Sequence, residues 1–251
     1  MEMVVDWDTL EMCPDLQTLD LSVVLSDFDL KPVLCSSLRA LDITLAPLVS
    51  CKNLHTLTIF MNQHITSIEP LASCVALKHL KLAACLGLTT IAPLASCHRL
   101  QSFSTYTCPN ITSFAALSQC PKLETVRISG SSHIRCLDVF ASCRSLRALY
   151  INRCKNIVNL EPLATCSALR KLYINQCDRI TSLESLAACQ ALETLTIKEC
   201  SGFTNVALLA ACQALKTLTI KNCSNLTDPS GFSALLPLSV PKNHVRGLNV
   251  K

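Results

Sequence analysis

From Cys51 onward the apolar positions recur every 23 residues, in units opening at Cys51, Cys74, Cys97, Cys120, Cys143, Cys166, Cys189 and Cys212 without a gap. With each opening cysteine counted as place zero, Leu recurs at places three and six, and Ile or Leu at place eight. In the unit opening at Cys189 these are Leu192, Leu195 and Ile197. The two-residue spacing of Leu195 and Ile197 puts both on one face of a short strand, with Thr194, Thr196 and Lys198 on the other. One strand per unit, always in the same direction, predicts a parallel sheet. Cys200 follows the strand, then Phe203 and Val206 three residues apart, then Leu209-Ala210, which turn the chain back beneath the sheet. Pro70, Pro93 and Pro162 let a helical turn begin there but not a long helix continue, so the far side is predicted as short helical or 3₁₀ turns. A fixed period of this length marks a solenoid, in which no unit buries its apolar face alone.

Departures from the period predict where the stack ends. The unit at Cys13 is one residue short and carries Val24 at place eleven, as a terminal repeat would. The unit at Cys35 has 16 residues before Cys51 but keeps the strand pattern Leu38, Leu41, Ile43. Its seven missing residues are expected to come from the far side and to change the local curvature. After Leu215, Leu218, Ile220 and Cys223 the pattern breaks at Pro229 into GFSALLPLSVP, the expected cover for the last open face. The domain reading is a cap over residues 1–12, one solenoid of about ten repeats over 13–236, and a basic tail over 237–251.

Composition narrows the function classes. Half of the 251 residues are apolar but only 4% are aromatic, which suits an aliphatic ladder, and five glycines are too few for a loop-rich chain. A net charge of +4 gives little reason to expect nucleic acid or an anionic membrane as the main partner. The start, MEMVVDWDTLEM, is acidic without an apolar core, and no run approaches the roughly 20 apolar residues of a membrane span. The expectation is an intracellular protein, cytoplasmic or of the nucleus or an organelle. The 17 cysteines fit it, being odd in number and set at repeat positions, as buried thiols in a reducing compartment are.

The run L-x-x-L-x-I-x-x-C-x-x-I-T resembles the leucine-rich repeat in its cysteine-containing form, with one extra residue between strand and descending loop. The following I-x-P-L-A, as in Ile68 to Ala72 and Ile91 to Ala95, is similar to the back side of internalin-like repeats. The 23-residue hybrid with cysteine at two places resembles repeat proteins abundant in kinetoplastid protists. The resemblance covers roughly Cys13 to Leu236. It implies an α/β repeat solenoid, a right-handed horseshoe with its parallel sheet on the concave face, and a concave face that grips a partner protein.

The cysteines invite a metal or redox reading, but there is no C-x-x-C and spacings of eleven and twelve match no zinc signature. The place-eleven column reads Asn62, Cys85, Cys108, Ser131, Cys154, Cys177, Cys200, Cys223. Asn and Ser can donate to loop carbonyls but cannot replace a thiolate or a disulfide partner, so the column is expected to be a hydrogen-bonding ladder. His55, His64, His79, His98, His133 and His244 lack ligand or triad spacing, and no nucleophile elbow, zinc helix or phosphate loop is present. Glu69, Asp138, Glu161 and Glu184 share place eighteen and are expected on the outer surface. The reading is therefore non-enzymatic, with no cofactor, metal or small-molecule substrate.

Function is expected on the outward strand places five, seven and nine. They gather all three tyrosines, and the candidate partner-binding residues are Phe60, Lys81, Tyr106, Arg127, Tyr150, Lys171, Tyr173, Lys198 and Lys221. Tyr and Arg anchor interfaces because they bury much area with little entropy lost, although sheet positions favour Tyr and Thr for packing alone. Asp20 and Asp42 at one end against Lys198 and Lys221 at the other make the face electrically polar. The favoured function is a protein-interaction module or scaffold subunit. The alternatives are substrate recognition in a ubiquitin ligase whose adaptor lies on another chain, since only about a dozen residues precede the first repeat, and RNA binding through tyrosine stacking.

Overall fold

The computed structural model describes residues 13–22, 45–62 and 65–226. Nine five-residue strands form one parallel sheet in which neighbours in sequence are neighbours in space. They are β1 Thr18–Ser22, β2 Thr56–Phe60, β3 His79–Ala83, β4 Ser102–Tyr106, β5 Thr125–Ser129, β6 Ala148–Asn152, β7 Lys171–Asn175, β8 Thr194–Lys198 and β9 Thr217–Lys221. From β2 onward each strand pairs with the next at the 23-residue interval, as Leu172 with Leu195 and Ile174 with Ile197. Burial alternates as expected: Leu195 and Ile197 are sealed, while Thr194, Thr196 and Lys198 are half-exposed. One face of the sheet is the wall of a continuous Leu/Ile/Cys core and the other is open.

Among the described residues, eight 3₁₀ turns, from Ala46–Ser50 to Ala207–Ala211, form the opposite wall. Each closes when the place-zero amide donates to the leucine or phenylalanine carbonyl three residues back, as Cys74 to Leu71 at 3.0 Å. Five of them are opened by a side chain at place sixteen that accepts the N–H two residues on. Ser67, Thr90, Ser113 and Ser182 do so at 3.1–3.2 Å and Asn205 at 2.6 Å. The short period leaves no room for more than these five-residue turns.

The residue after each strand, at place ten, is left-handed in every regular unit. Met61, Ala84, Thr107, Arg153, Gln176, Glu199 and Asn222 have φ of 50–56° and Gly130 has 73°. This is the extra residue that the pattern places between strand and loop. Its N–H still joins the sheet, donating to the place-nine carbonyl of the following strand, as Ala84 to Tyr106 at 2.8 Å. The bend then drops place eleven into the core.

β1 is hydrogen-bonded directly to β2, Thr18 opposite Thr56 and Leu21 opposite Ile59, and the sheet has nine strands among the described residues. Leu38 to Ile43, Asp42, Val24, the expected cap over 1–12, the GFSALLPLSVP cover and the tail over 237–251 lie outside the described residues.

The described cysteines from Cys74 to Cys223 are free thiols. The place-zero thiols donate to the carbonyl 26 residues earlier in the preceding coil, as Cys166 to Phe140 at 3.3 Å and Cys212 to Leu186 at 3.2 Å. The place-eleven thiols donate to the place-nine carbonyl of their own strand, at 3.1 Å for Cys200 and 3.4 Å for Cys154. The ladder reading holds for the thiols but not for Ser131. Asn62 uses its oxygen to accept the Ile65 N–H at 2.9 Å, while the buried Ser131 hydroxyl finds no partner. A C–O bond is shorter than a C–S bond, so the hydroxyl stops short of the carbonyl that sulfur reaches. Ser131→Cys is expected to stabilise the chain by about 1 kcal/mol and Cys177→Ser to destabilise it by about 1–3 kcal/mol. Chemical denaturation of the two variants checks this, and changes of the same sign contradict it.

Burial pushes the thiols of Cys74, Cys97, Cys177 and Cys189 from 9.0 up to about 12, and those of Cys120, Cys143, Cys154, Cys166 and Cys200 to about 11. Unfolded thiols ionise above their ordinary value while these stay protonated. The stability they confer is therefore complete below that value and is lost as the pH rises through the folded ones. Each such thiol removes about 1.4 kcal/mol per pH unit inside that window. Denaturation midpoints are expected to be level up to about pH 8 and to fall steeply above about pH 9. Level midpoints up to about pH 10 would show that the thiols are not buried as neutral groups.

Candidate interaction surface

The period that builds the core also brings places five, seven and nine of successive strands side by side on the open face. Every residue expected there is there: Phe60 on β2, Lys81 on β3, Tyr106 on β4, Arg127 on β5, Tyr150 on β6, Lys171 and Tyr173 on β7, Lys198 on β8 and Lys221 on β9. All are partly or fully exposed. Parallel pairing sets Arg127 opposite Tyr150 and Tyr150 opposite Tyr173.

Four of them touch in series. The Arg127 guanidinium lies 4.3 Å from the centre of the Tyr150 ring. That ring meets Tyr173 with centroids 6.3 Å apart and planes tilted by 35°. The Lys198 ammonium closes the row 5.6 Å from the Tyr173 ring. The rings are farther apart than the strand spacing of about 5 Å because they tilt across the face. Lys81 stands over Tyr106 at 5.9 Å as a separate pair. Phe60, Lys171 and Lys221 join neither ring group. Cation–π contacts at partly exposed sites contribute about 0.5–1 kcal/mol.

Sequence reasoning missed two side-chain ladders that run beside the row. At place nine the Asn152 amide donates to the Ser129 hydroxyl at 2.9 Å, and the Asn175 amide donates to Asn152 Oδ1 at 2.7 Å. One step on, at place ten, Arg153 Nε donates to Gln176 Oε1 at 2.8 Å and Gln176 Nε2 to Glu199 Oε2 at 2.6 Å. The signal was present as Asn at the same place in consecutive units, since a stacked amide can donate to the coil before it.

The other candidate groups lie elsewhere. Glu69, Asp138, Glu161 and Glu184 are exposed at the starts of the 3₁₀ turns, across the core from the sheet. His98 Nδ1 lies 3.0 Å from the Gln119 carbonyl. Among the described residues, no group of three or more His, Cys, Asp or Glu is placed to hold a metal ion, and no helix is long and apolar enough to cross a membrane.

No protein-family model matches the chain, and no curated protein matches it. Solved structures do. Internalin C2 of Listeria monocytogenes is 22% identical, with 70% of this chain and 74% of its own covered and a TM-score of 0.62. The leucine-rich repeat domain of the type III effector XopL is 17% identical over 96% of this chain and 88% of its own, at 0.64. A leucine-rich-repeat protein of Leptospira interrogans is 16% identical over 92% of this chain and 61% of its own, at 0.61. These likenesses show the fold, a leucine-rich-repeat solenoid with internalin-type neighbours. They carry nothing on the kinetoplastid resemblance.

The cation–ring row has a direct check. A double-mutant cycle on Arg127→Ala and Tyr150→Leu, read by chemical denaturation, is expected to give a coupling of about 0.5–1 kcal/mol. Additive effects would mean that the two side chains do not interact.

Proposed function

We propose that this leucine-rich-repeat solenoid is a non-enzymatic interaction module that holds a protein partner against the open, concave face of its sheet. Leucine-rich-repeat folds generally mediate protein–protein interaction. The observation that carries the reading is the row Arg127, Tyr150, Tyr173, Lys198, in which rings and cations are held in place before any partner arrives. Preorganised aromatic and arginine side chains lose little entropy on binding, which is why they dominate interface energetics. Buried thiols outside any disulfide, such as Cys74, Cys97 and Cys189, support a reducing compartment as the place of action.

Substrate recognition in a ubiquitin ligase is a special case of this reading. RNA binding is disfavoured by the same row. A base stacks on a free ring face, whereas Tyr150 and Tyr173 face each other and are covered at their outer sides by Arg127 and Lys198. Tyr106 likewise lies under Lys81.

Affinity purification from native cells tests the proposal with three baits: the wild-type chain, Tyr150→Ala/Tyr173→Ala, and Glu161→Lys/Glu184→Lys. The tyrosine double change is expected to weaken partner binding by at least ~2 kcal/mol, about thirtyfold, with an unchanged fold. Reversing the two glutamates on the turn side is expected to do little. Binding that survives the first and is lost in the second would put the interface on the convex side.

A further inference from the structure

The charges on the open face are one-sided. From β2 to β9, places five, seven and nine carry Lys81, Arg127, Lys171, Lys198 and Lys221 and not one carboxylate, in a chain whose net charge is only +4. Asp20, on β1 at the far edge, is the described exception. Ion pairs do form close by, but off the face at place four, where Arg147 meets Glu124 at 3.7 Å and Glu193 meets Lys216 at 3.0 Å and Arg170 at 3.4 Å. Asp178 and Glu199 lie past the strand ends, where the Ser201 N–H and the Gln176 amide already donate to them. None of the five face cations is in ion-pair contact with a described carboxylate. Lys171 acts on Glu193 only as a minor influence behind Lys216 and Arg170. The face is thus a strip of like charge whose repulsion an anionic partner would relieve.

The spacing selects an extended segment. Lys81, Arg127, Lys171 and Lys221 stand on alternate strands β3, β5, β7 and β9, with Lys171 at place five and Lys221 at place nine lying to either side of the place-seven line of Lys81 and Arg127; measured across the strands they are about 9.6 Å apart and span about 29 Å in all. About three residues of an extended chain cover the first distance and about nine the second. Between the outer pairs of cations, β6 offers no charge. It presents Tyr150 beside Ala148, whose small, nearly buried side chain leaves room next to the ring.

We infer that the partner chemistry is an acidic, extended protein segment of about nine residues, with Asp or Glu toward both ends and an apolar or aromatic residue near its middle, lying across β3–β9. The inference rests on the open-face reading above and adds the class of ligand. The segment's carboxylates meet the alternate-strand cations, and its central side chain packs over Ala148 against the edge of the Tyr150 ring. The ammonium and guanidinium groups keep their ring contacts and gain the counter-charges that the free face lacks.

The test is a selection from a displayed library of random nonapeptides on the full chain. Selected peptides are then measured by fluorescence anisotropy against the wild type, Lys171→Glu/Lys198→Glu, Tyr150→Ala/Tyr173→Ala and the off-face control Lys122→Glu. The expected pool is rich in Asp and Glu around an apolar centre. Its peptides should lose at least about tenfold in affinity with the lysine reversal and with the tyrosine change, and less than about twofold with the control. Their binding should also weaken with added salt. Neutral or basic peptides that are lost in the tyrosine variant would overturn the acidic class and leave the open-face reading standing. Peptides indifferent to both face variants, or an empty pool, would overturn the inference, and indifferent binders would count against the open-face reading as well. Displacement of acidic peptides by oligouridylate at lower concentration than by unlabelled peptide would reassign the strip to nucleic acid.

Discussion

The backbone hydrogen bonds between coils are the constraint on which everything else depends. No coil of this chain can satisfy its own strand, so each strand's amides and carbonyls are answered only by the coils before and after it. The pairing extends beyond the five strand residues at both ends. Lys78 and His79 both donate to the His55 carbonyl at 2.8 and 2.9 Å, and the left-handed residue at place ten donates forward to the next strand. Seven residues other than glycine take a left-handed φ there, six of them making that bond, a conformation that costs about 1 kcal/mol for an L side chain. The bend is tolerated because it keeps the ladder complete while turning the chain into its descent.

The thiols belong to the same economy of space. Below the bend the chain runs without regular structure, and the thiols there add a second donor to carbonyls that a backbone amide already meets, as Cys97 does at Leu71 beside the Cys74 N–H and Cys108 at Tyr106 beside the Ala84 N–H. A cysteine is small and apolar enough to pack in the core, and its long C–S bond lets the weak donor reach a carbonyl in its own or the preceding coil. The two cysteine columns therefore line two edges of the core and answer carbonyls at both. The arrangement tolerates little variation. Ser131 leaves a buried hydroxyl unpaired, and Thr105, the polar residue in the place-eight column, does the same. Thr105 sits beside Phe103, which packs edge-on against Phe114 with centroids 6.4 Å apart. The coil with the bulkiest ladder residue thus has a smaller one next to it.

Much of the fold was legible because it is written as a period. The inward columns, the parallel pairing and the outward positions of Tyr150, Tyr173 and Arg127 all follow from a 23-residue spacing and the two-residue alternation of a strand. The direct pairing of β1 with β2, Thr18 with Thr56, was not legible, because columns of like residues do not say which coils are neighbours. Place ten was illegible for another reason. Met61, Thr107, Arg153 and Glu199 carry no glycine signal, since the left-handed bend is imposed by the ladder rather than by residue preference. On the open face, position could be read but contact could not. Lys198 sits at place nine and Tyr173 at place seven, and only the twist and reach of the side chains bring the ammonium over the ring.

The account rests on interchangeable coils joined in one register, and deletion of a single coil tests it most directly. Removing residues 166–188, one full unit of 23, joins β6 to β8 with every column preserved. It is expected to leave a cooperatively folded protein with a smaller denaturant dependence. Removing 167–188, one residue fewer, displaces every later side chain relative to the columns and is expected to abolish cooperative unfolding. Loss of folding in the first variant, or equal stability of the two, would contradict the account.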